Sequence, residues 1–224
     1  MGSYETVAKE YYEEARHPTC ADFREVSSRL LSSYQRDLSQ VRVVVEVGAG
    51  RSVKPDIWRD GVRGRATWIT TDASAAMLAS GWNAGTMGAV ADARRMPIAS
   101  SSADAVVSSL GDPYNVPAFW NEVHRVLAHG GLGFYTTPSY EWASKFRGPN
   151  DRDIAAFELS DGTAELLPSF IHPEDDQVAM IGAAGLEVKD VLRGGLAAAL
   201  RRSSKLHVVP PGAAVVAAYF VFKP

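Results

Sequence analysis

Val41 to Val47 is the stretch that most constrains this 224-residue chain. Apart from Arg42 and Glu46 it is all valine, apolar on both faces, and it ends in Gly48-Ala49-Gly50. A strand that offers apolar side chains to both sides must be covered on both sides, as in the middle of a parallel sheet. The glycines stop it and let the backbone turn tightly.

An alternation of strands and helices follows. A helical stretch begins at about Ser52. Ala66 to Thr71 reads as a second strand with Asp72 at its end, and Ser74 to Gly81 as a helix. Met87 to Ala91 is a third strand ending at Asp92, and Asp104 to Ser109 a fourth. Val116 to Leu127 is an amphipathic helix with Phe119, Trp120, Val123, Val126 and Leu127 on one face. His129-Gly130-Gly131 then turns the chain into a fifth strand, Leu132 to Thr137. Pro173 to Ala184 is a helix with an acidic first turn and Gly185 past its end. Leu186 to Leu192 and Val215 to Phe222 close the chain as two strands, expected to pair as an antiparallel hairpin with a long connection. The order implies right-handed crossovers and a parallel sheet.

Two segments stand outside this rhythm. Tyr4, Val7, Ala8, Tyr11 and Ala15 share one helical face, and a turn at His17-Pro18 ends that helix. Asp22 and Glu25 suit a capping box for a second helix with the stripe Phe23, Val26, Leu30, Leu31, Tyr34 and Leu38. From Pro138 to Phe170 the periodicity is weak and the aromatics irregular, which marks a functional segment inside a compact domain. The expected organisation is one domain over residues 1–224, with an N-terminal helical cap at 1–40 and a substrate-covering insertion at 138–172.

Composition narrows the function classes. With 22% charged and 46% hydrophobic residues the chain is globular. A formal net charge of −3 predicts no general attraction to nucleic acid or to a membrane surface. Cys20 is the only cysteine, so neither an internal disulfide nor a thiolate metal cluster is expected. The opening Met1-Gly2-Ser3-Tyr4-Glu5 does not read as a secretory leader, and Ala213 to Phe222 is too short to span a bilayer. The expectation is a cytoplasmic protein, monomer or homodimer, with no metal.

Ligands of open α/β sheets bind beyond the carboxyl ends of the strands. Gly48 and Gly50 fall there, and so does Asp72, whose carboxylate can accept from both hydroxyls of a ribose. A nicotinamide dinucleotide also needs a third glycine for its pyrophosphate, and that position is Val53. An adenosine ligand without phosphate does not need it.

Together these residues resemble the class I S-adenosylmethionine-dependent methyltransferases, from about Val41 to Pro138, with the element order extending the likeness to Pro224. Val43-Val44-Val45-Glu46-Val47-Gly48-Ala49-Gly50 is similar to the family's first motif, and Asp72 matches its acidic residue after the second strand. Ala91-Asp92-Ala93, followed by Met96-Pro97, is similar to the adenine-reading segment. Ser102 to Val107 resembles the opening of the fourth strand. Glu122, Arg125, Val126, Leu127, Gly130 and Gly131 keep the register of the family's "E-x-x-R-V-L-x-P-G-G" helix and turn.

The resemblance implies a Rossmann-like three-layer α/β sandwich, its seven-stranded sheet mostly parallel with an antiparallel C-terminal hairpin, and S-adenosyl-L-methionine as cofactor. It implies that Gly48, Ala49 and Gly50 pass under the methionine and ribose, and that Glu46 orients the amino group, directly or through water. It gives the ribose hydroxyls to Asp72, places Ala73 and Met77 beside adenine, and has Asp92 and the Ala93 backbone read it. It puts Ser109 and Leu110 on the floor beside the sulfonium, and makes Tyr4, Tyr11 or Tyr12 an aromatic lid. Two departures stand out. Arg51 replaces a frequent small residue and either points to solvent or reaches the cofactor carboxylate. His129 replaces the common proline.

The acceptor half is marked less clearly. Gly111-Asp112-Pro113-Tyr114-Asn115 lies past the fourth strand and faintly resembles the "D-P-P-Y" motif of amino-methylating enzymes; the bland reading is a proline turn leading into a helix. Asp112 and Tyr114 are the catalytic candidates because of where they fall. Tyr135, Tyr140, Trp142 and Phe146 either shape an acceptor pocket or pack the insertion onto the sheet. His172 and His124 read as surface or structural histidines, and Arg201, Arg202 and Lys205 as a solvated basic cluster. The expected activity is methylation of oxygen or nitrogen on a small-molecule acceptor, with natural-product tailoring as a fold-level analogy. The alternatives are an RNA or protein methyltransferase using Asp112 to Tyr114, a catalytically inactive binding module, and a nicotinamide oxidoreductase, against which Val53 argues.

Overall fold

The computed structural model describes residues 3–38, 40–57, 66–81, 87–148 and 152–224. Strand β1 (Val43–Val47) lies at the centre of the main sheet, paired in parallel with β2 (Thr67–Asp72) on one side and β4 (Ala103–Ser108) on the other. Strand β3 (Met87–Val90) extends the sheet beyond β2, and β5 (Leu127–Pro138) beyond β4, again in parallel. The last strand, β9 (Val216–Phe222), runs antiparallel between β5 and β8 (Glu187–Gly194). The seven strands therefore stand in the order β3-β2-β1-β4-β5-β9-β8, the predicted architecture with its C-terminal hairpin.

Side-chain alternation explains the two covering layers. Val44, Ala105, Val107 and Phe134 point to one face, where Leu31 of α2 (Pro18–Ser32), Leu38 of α3 (Gln35–Leu38) and Ile57 of α4 (Lys54–Ile57) cover them. Val45, Val47, Val106 and Tyr135 point to the other, against Phe119, Trp120 and Val123 of α6 (Pro117–Val126) and Ile181 of α8 (Glu174–Ala183). Each large apolar side chain buried this way contributes about 1.5–3 kcal/mol. Among the described residues no helix is long and apolar enough to cross a membrane.

Several local expectations are corrected. The first helix is a single turn, α1 (Tyr4–Val7), and the chain continues in turns to His17. Helix α2 starts at Pro18 with His17 as N-cap, so Asp22 is no capping residue. Asp22 is fully buried inside the helix and accepts from the backbone N–H groups of Arg202 and Ser203, both at 3.0 Å. The helix expected from Ser52 is seen as α4, and anything after Ile57 lies outside the described residues. Strand β5 begins five residues before Leu132, at Leu127, and His129-Gly130-Gly131 form a bulge within it.

The irregular segment after β5 holds a short helix, α7 (Tyr140–Ala143), and a two-stranded hairpin, β6 (Ile154–Glu158) with β7 (Ala164–Pro168). Its turn contains Asp161-Gly162, with Gly162 at φ +83°, a hairpin signal present in the sequence. The basic cluster near residue 201 is structural in part, with Arg201 half-buried and Arg202 and Lys205 exposed. Arg201 donates to the carbonyls of Leu206, Val209 and Pro210 at 2.6–2.8 Å, and Arg202 reaches Asp22 and Glu25.

Candidate active site

The carboxyl ends of β1, β2 and β4 and the loop after β3 open into a cavity of about 1330 Å³. Gly48 and Ala49 line it from the turn after β1. Asp72 and Ala73 follow β2, Met77 belongs to α5 (Ala75–Ser80), Asp92 and Ala93 follow β3, and Ser109 and Leu110 follow β4. Tyr4, Tyr11 and Tyr12 face it from the N-terminal segment, and Tyr114 from below. Gly50, Glu46 and Asp112 are not among the lining residues.

Gly48 sits at φ +62° with the Tyr114 hydroxyl directly beneath it, so an added Cβ would fall inside that oxygen. The hydroxyl donates to the Val47 carbonyl at 2.8 Å and lies 2.9 Å from Ser108 Oγ. Gly50 is at φ +41°, and the Tyr12 hydroxyl occupies the place of its Cβ. That hydroxyl accepts from the Arg51 N–H at 2.7 Å, which latches the N-terminal segment onto the turn. Gly50 acts through its N–H, which donates to Asp72 Oδ2 at 3.0 Å.

Asp72 Oδ1 accepts from Ser74 N–H at 2.9 Å. A carboxylate offers about four lone-pair positions, so one remains on each oxygen for a further donor. Burial raises the Asp72 pKa, and the two N–H groups pull it back. Asp92 is held differently. Arg94 forks onto it at 2.6–3.2 Å and its own N–H adds a bond at 2.9 Å, which lowers the Asp92 pKa. The Asp92 side chain is 46% exposed. A pair that exposed is worth roughly 0–1 kcal/mol, so Arg94 yields an oxygen to a ligand at little cost.

The direct role expected for Glu46 is corrected. Its carboxylate is buried and accepts from Ser52 Oγ at 2.5 Å, Val53 N–H at 2.8 Å and Trp68 Nε1 at 2.6 Å. Burial raises its pKa, and those three donors counter the rise. Glu46 thus braces the turn after β1 from beneath. Ser109 and Leu110 form the floor. Ser109 Oγ lies 2.7 Å from Ser27 Oγ of α2, and Leu110 is held at φ +54° by a bond from its N–H to Thr136 Oγ1 at 2.8 Å. A left-handed leucine costs about 1–2 kcal/mol, strain that the surrounding bonds sustain.

Asp112 is also corrected. It starts the 3-10 turn Asp112–Tyr114, and its buried carboxylate accepts from the Ser169 hydroxyl, with the Arg147 guanidinium on the Ser169 carbonyl at 2.6 Å. It ties the turn to the insertion and does not meet the cavity. Burial lifts its pKa from the ordinary 3.8 to about 6, with the Ser169 hydroxyl and Arg147 opposing the rise. The folded chain therefore holds this proton where the unfolded chain has lost it. Stability falls as pH rises from about 4 to about 6, by up to about 3 kcal/mol, and the loss persists above that. Asp112→Asn should flatten this part of the profile, so that the mutant melts above the wild type at pH 7 and the gap closes toward pH 4. A constant gap across that range in thermal melts contradicts it.

Of the two readings open for Tyr135, Tyr140, Trp142 and Phe146, the pocket one is not seen, since none of them lines the cavity. Tyr135 is in the core, Trp142 packs on Phe23 of α2, and Tyr140 and Phe146 are exposed. From the insertion, Pro168 and Phe170 line the cavity instead. His172 Nε2 lies 3.1 Å from the Asn115 carbonyl, a structural contact. The sequence reading missed two straps on the N-terminal segment. Glu5 accepts from Ser74 Oγ at 2.5 Å and Ala76 N–H at 3.2 Å; Glu10 accepts from Ser160 N–H at 2.8 Å and its hydroxyl at 2.5 Å. No local pattern announces contacts this distant along the chain.

Residues 45–135 match the family described as "Methyltransferase domain". No curated protein matches the chain significantly. Among solved structures, the chain is similar to an S-adenosylmethionine-dependent methyltransferase from Thermotoga maritima described as a possible histamine N-methyltransferase. The two are 16% identical, covering 99% of this chain and 98% of that one, with a TM-score of 0.66. It is also similar to the Burkholderia thailandensis 1,6-didemethyltoxoflavin-N1-methyltransferase, solved with its substrate and S-adenosylhomocysteine (14% identity, 97% and 87% covered, TM-score 0.56). A third is the geranyl diphosphate C-methyltransferase of Streptomyces coelicolor A3(2) (12% identity, 88% and 79% covered, TM-score 0.61). The stretch from β1 into β5 thus matches a methyltransferase domain, and the fold of the whole chain is one shared with these S-adenosylmethionine-dependent enzymes.

Proposed function

We propose that this chain methylates oxygen or nitrogen on a small molecule. The observation that carries the reading is a single cavity joining the carboxylates at the strand ends to aromatic walls on the covering elements. At about 1330 Å³ it exceeds the roughly 300–1,000 Å³ of an ordinary ligand pocket, enough for a donor and a compact acceptor together. Tyr11, Gly48, Ala49, Asp72, Ala73, Met77, Asp92, Ala93, Ser109 and Leu110 would hold the donor. The bare Gly48 surface and the two unused acceptor positions on Asp72 suit an adenosine with a phosphate-free tail. Residues 1–40 and 138–172 would cover the acceptor.

S-adenosylmethionine supplies a methyl group already activated on a sulfonium. The acceptor's lone pair forms the new bond to carbon, the carbon–sulfur pair returns to sulfur, and the acceptor proton passes to water. Much of the rate can then come from orientation and water exclusion, which Tyr4, Tyr11, Tyr12 and Phe170 provide as walls. Tyr114 contributes position: its hydroxyl proton is engaged by the Val47 carbonyl, and burial raises its pKa. The buried tie of Asp112 to Ser169 speaks against the amide-methylating reading of that segment.

The test is calorimetry with S-adenosylhomocysteine, followed by incubation of a phenol and amine panel with isotopically labelled S-adenosylmethionine. The expected results are saturable one-to-one binding and label on an acceptor's oxygen or nitrogen. Absence of binding contradicts the reading; binding without transfer to any small molecule favours the inactive-module alternative.

A further inference from the structure

Five arginines line the cavity, and their partners differ. Arg94 is taken by Asp92, Arg202 by Asp22 and Glu25, and Arg29 donates to the Gly195 carbonyl at 2.6 Å. Among the described residues, Arg24 and Arg51 reach no carboxylate at ion-pair distance. Arg51 follows Gly50 directly, with its guanidinium carbon 4.4 Å from the centre of the Tyr12 ring. It is the cation beside the donor's half of the cavity.

Arg24 approaches the same Tyr12, and Tyr11 beside it, from α2. It is half-buried on α2, with its guanidinium carbon 5.7 Å from the Tyr11 ring centre and 5.1 Å from that of Tyr12. Its one hydrogen bond among the described residues is a long one, Nη1 to the Tyr11 carbonyl at 3.4 Å. A guanidinium carries five N–H donors in a planar fork suited to a carboxylate, and here most of them are unspent at a cavity wall. Its charge is felt at Tyr11, Tyr12, His17 and Cys20, and of these Tyr11 and Cys20 belong to the cluster around Val7, Phe157 and Leu167 under the hairpin. The Tyr4 and Tyr11 hydroxyls there make no hydrogen bond among the described residues, and Pro113 and Phe170 add flat apolar wall. Glu14 also lines the cavity and makes no ion pair among the described residues.

From this arrangement we infer that the acceptor is an aromatic carboxylate, its ring against Tyr11 and Phe170 and its carboxylate on Arg24. The inference rests on the donor reading above and adds the acceptor's charge. The methylated atom is a hydroxyl or amine elsewhere on the ring, so the carboxylate survives the reaction unchanged.

The test titrates protein saturated with S-adenosylhomocysteine with 4-hydroxybenzoate and with its neutral counterpart 4-hydroxybenzamide. A forked charge-assisted contact predicts that the acid binds about 10- to 100-fold more tightly than the amide. Arg24→Gln should erase that preference and leave S-adenosylhomocysteine affinity unchanged. Equal or undetectable binding of acid and amide by the wild type overturns the inference. So does an Arg24→Gln protein that loses S-adenosylhomocysteine, since Arg24 would then serve the donor's own carboxylate. A wild type that never binds S-adenosylhomocysteine sinks the donor reading itself, an outcome visible before any acid is added.

Discussion

Asp72→Ala should weaken S-adenosylhomocysteine binding by about 100- to 10,000-fold while the chain stays folded. Two hydrogen bonds from ribose hydroxyls to a carboxylate are each worth about 1.5–3 kcal/mol, and the alanine removes both. It also strands the Gly50 and Ser74 N–H groups that now end on the carboxylate, which loosens the turn the ligand rests on. Asp72→Asn keeps the shape but turns an N–H₂ toward donors, so its loss should be intermediate. Calorimetry gives the affinities, and far-UV circular dichroism shows that the fold survives. An affinity unchanged in Asp72→Ala contradicts the ribose role.

Gly48→Ala should cost stability and donor binding together. The φ of +62° costs a non-glycine residue about 1–2 kcal/mol. The new Cβ must also displace the Tyr114 hydroxyl, breaking its bonds to the Val47 carbonyl and Ser108. Each buried group left unpaired adds about 1–3 kcal/mol, so a total of about 3–5 kcal/mol is expected in denaturant unfolding. Donor binding should be lost as well, because the ring can move only into the cavity it lines. Tyr114→Phe in the same chain removes the colliding oxygen and should recover part of the stability. A double mutant no better than Gly48→Ala alone contradicts this account of the clash.

The sheet was readable because its strands carry their own evidence. Val43 to Val47 and Ala103 to Ser108 are apolar on both faces, and only a covered parallel strand tolerates that. Asp72, Asp92 and Gly48 could be grouped because each falls where a strand stops, and all three line one cavity. What was illegible depends on pairing across long distances or on which way a side chain turns. Glu46 and Asp112 occupy the positions expected of site residues, yet each points to donors within the protein: Ser52, Val53 and Trp68 for one, Ser169 for the other. Asp22 looked like a cap because it precedes an apolar stripe, and its partners lie 180 and 181 residues away. The one-turn α1 shows tertiary contacts overriding periodicity, since Tyr11 stacks on Phe157 of the hairpin instead of continuing a helix. The hairpin was not read, because its flanking strands alternate weakly and only the Asp161-Gly162 turn signals it.

That the ends of three neighbouring strands meet at one adenosine is the proposal on which donor, acceptor and chemistry all depend. A crystal structure of the protein grown with S-adenosylhomocysteine tests it most directly. The account predicts the ribose hydroxyls on Asp72, the adenine between Met77 and Ala93 with its amino group at Asp92, and the sulfur above Gly48 facing Tyr11. A ligand bound elsewhere, or a cavity left empty at saturating concentration, would contradict it.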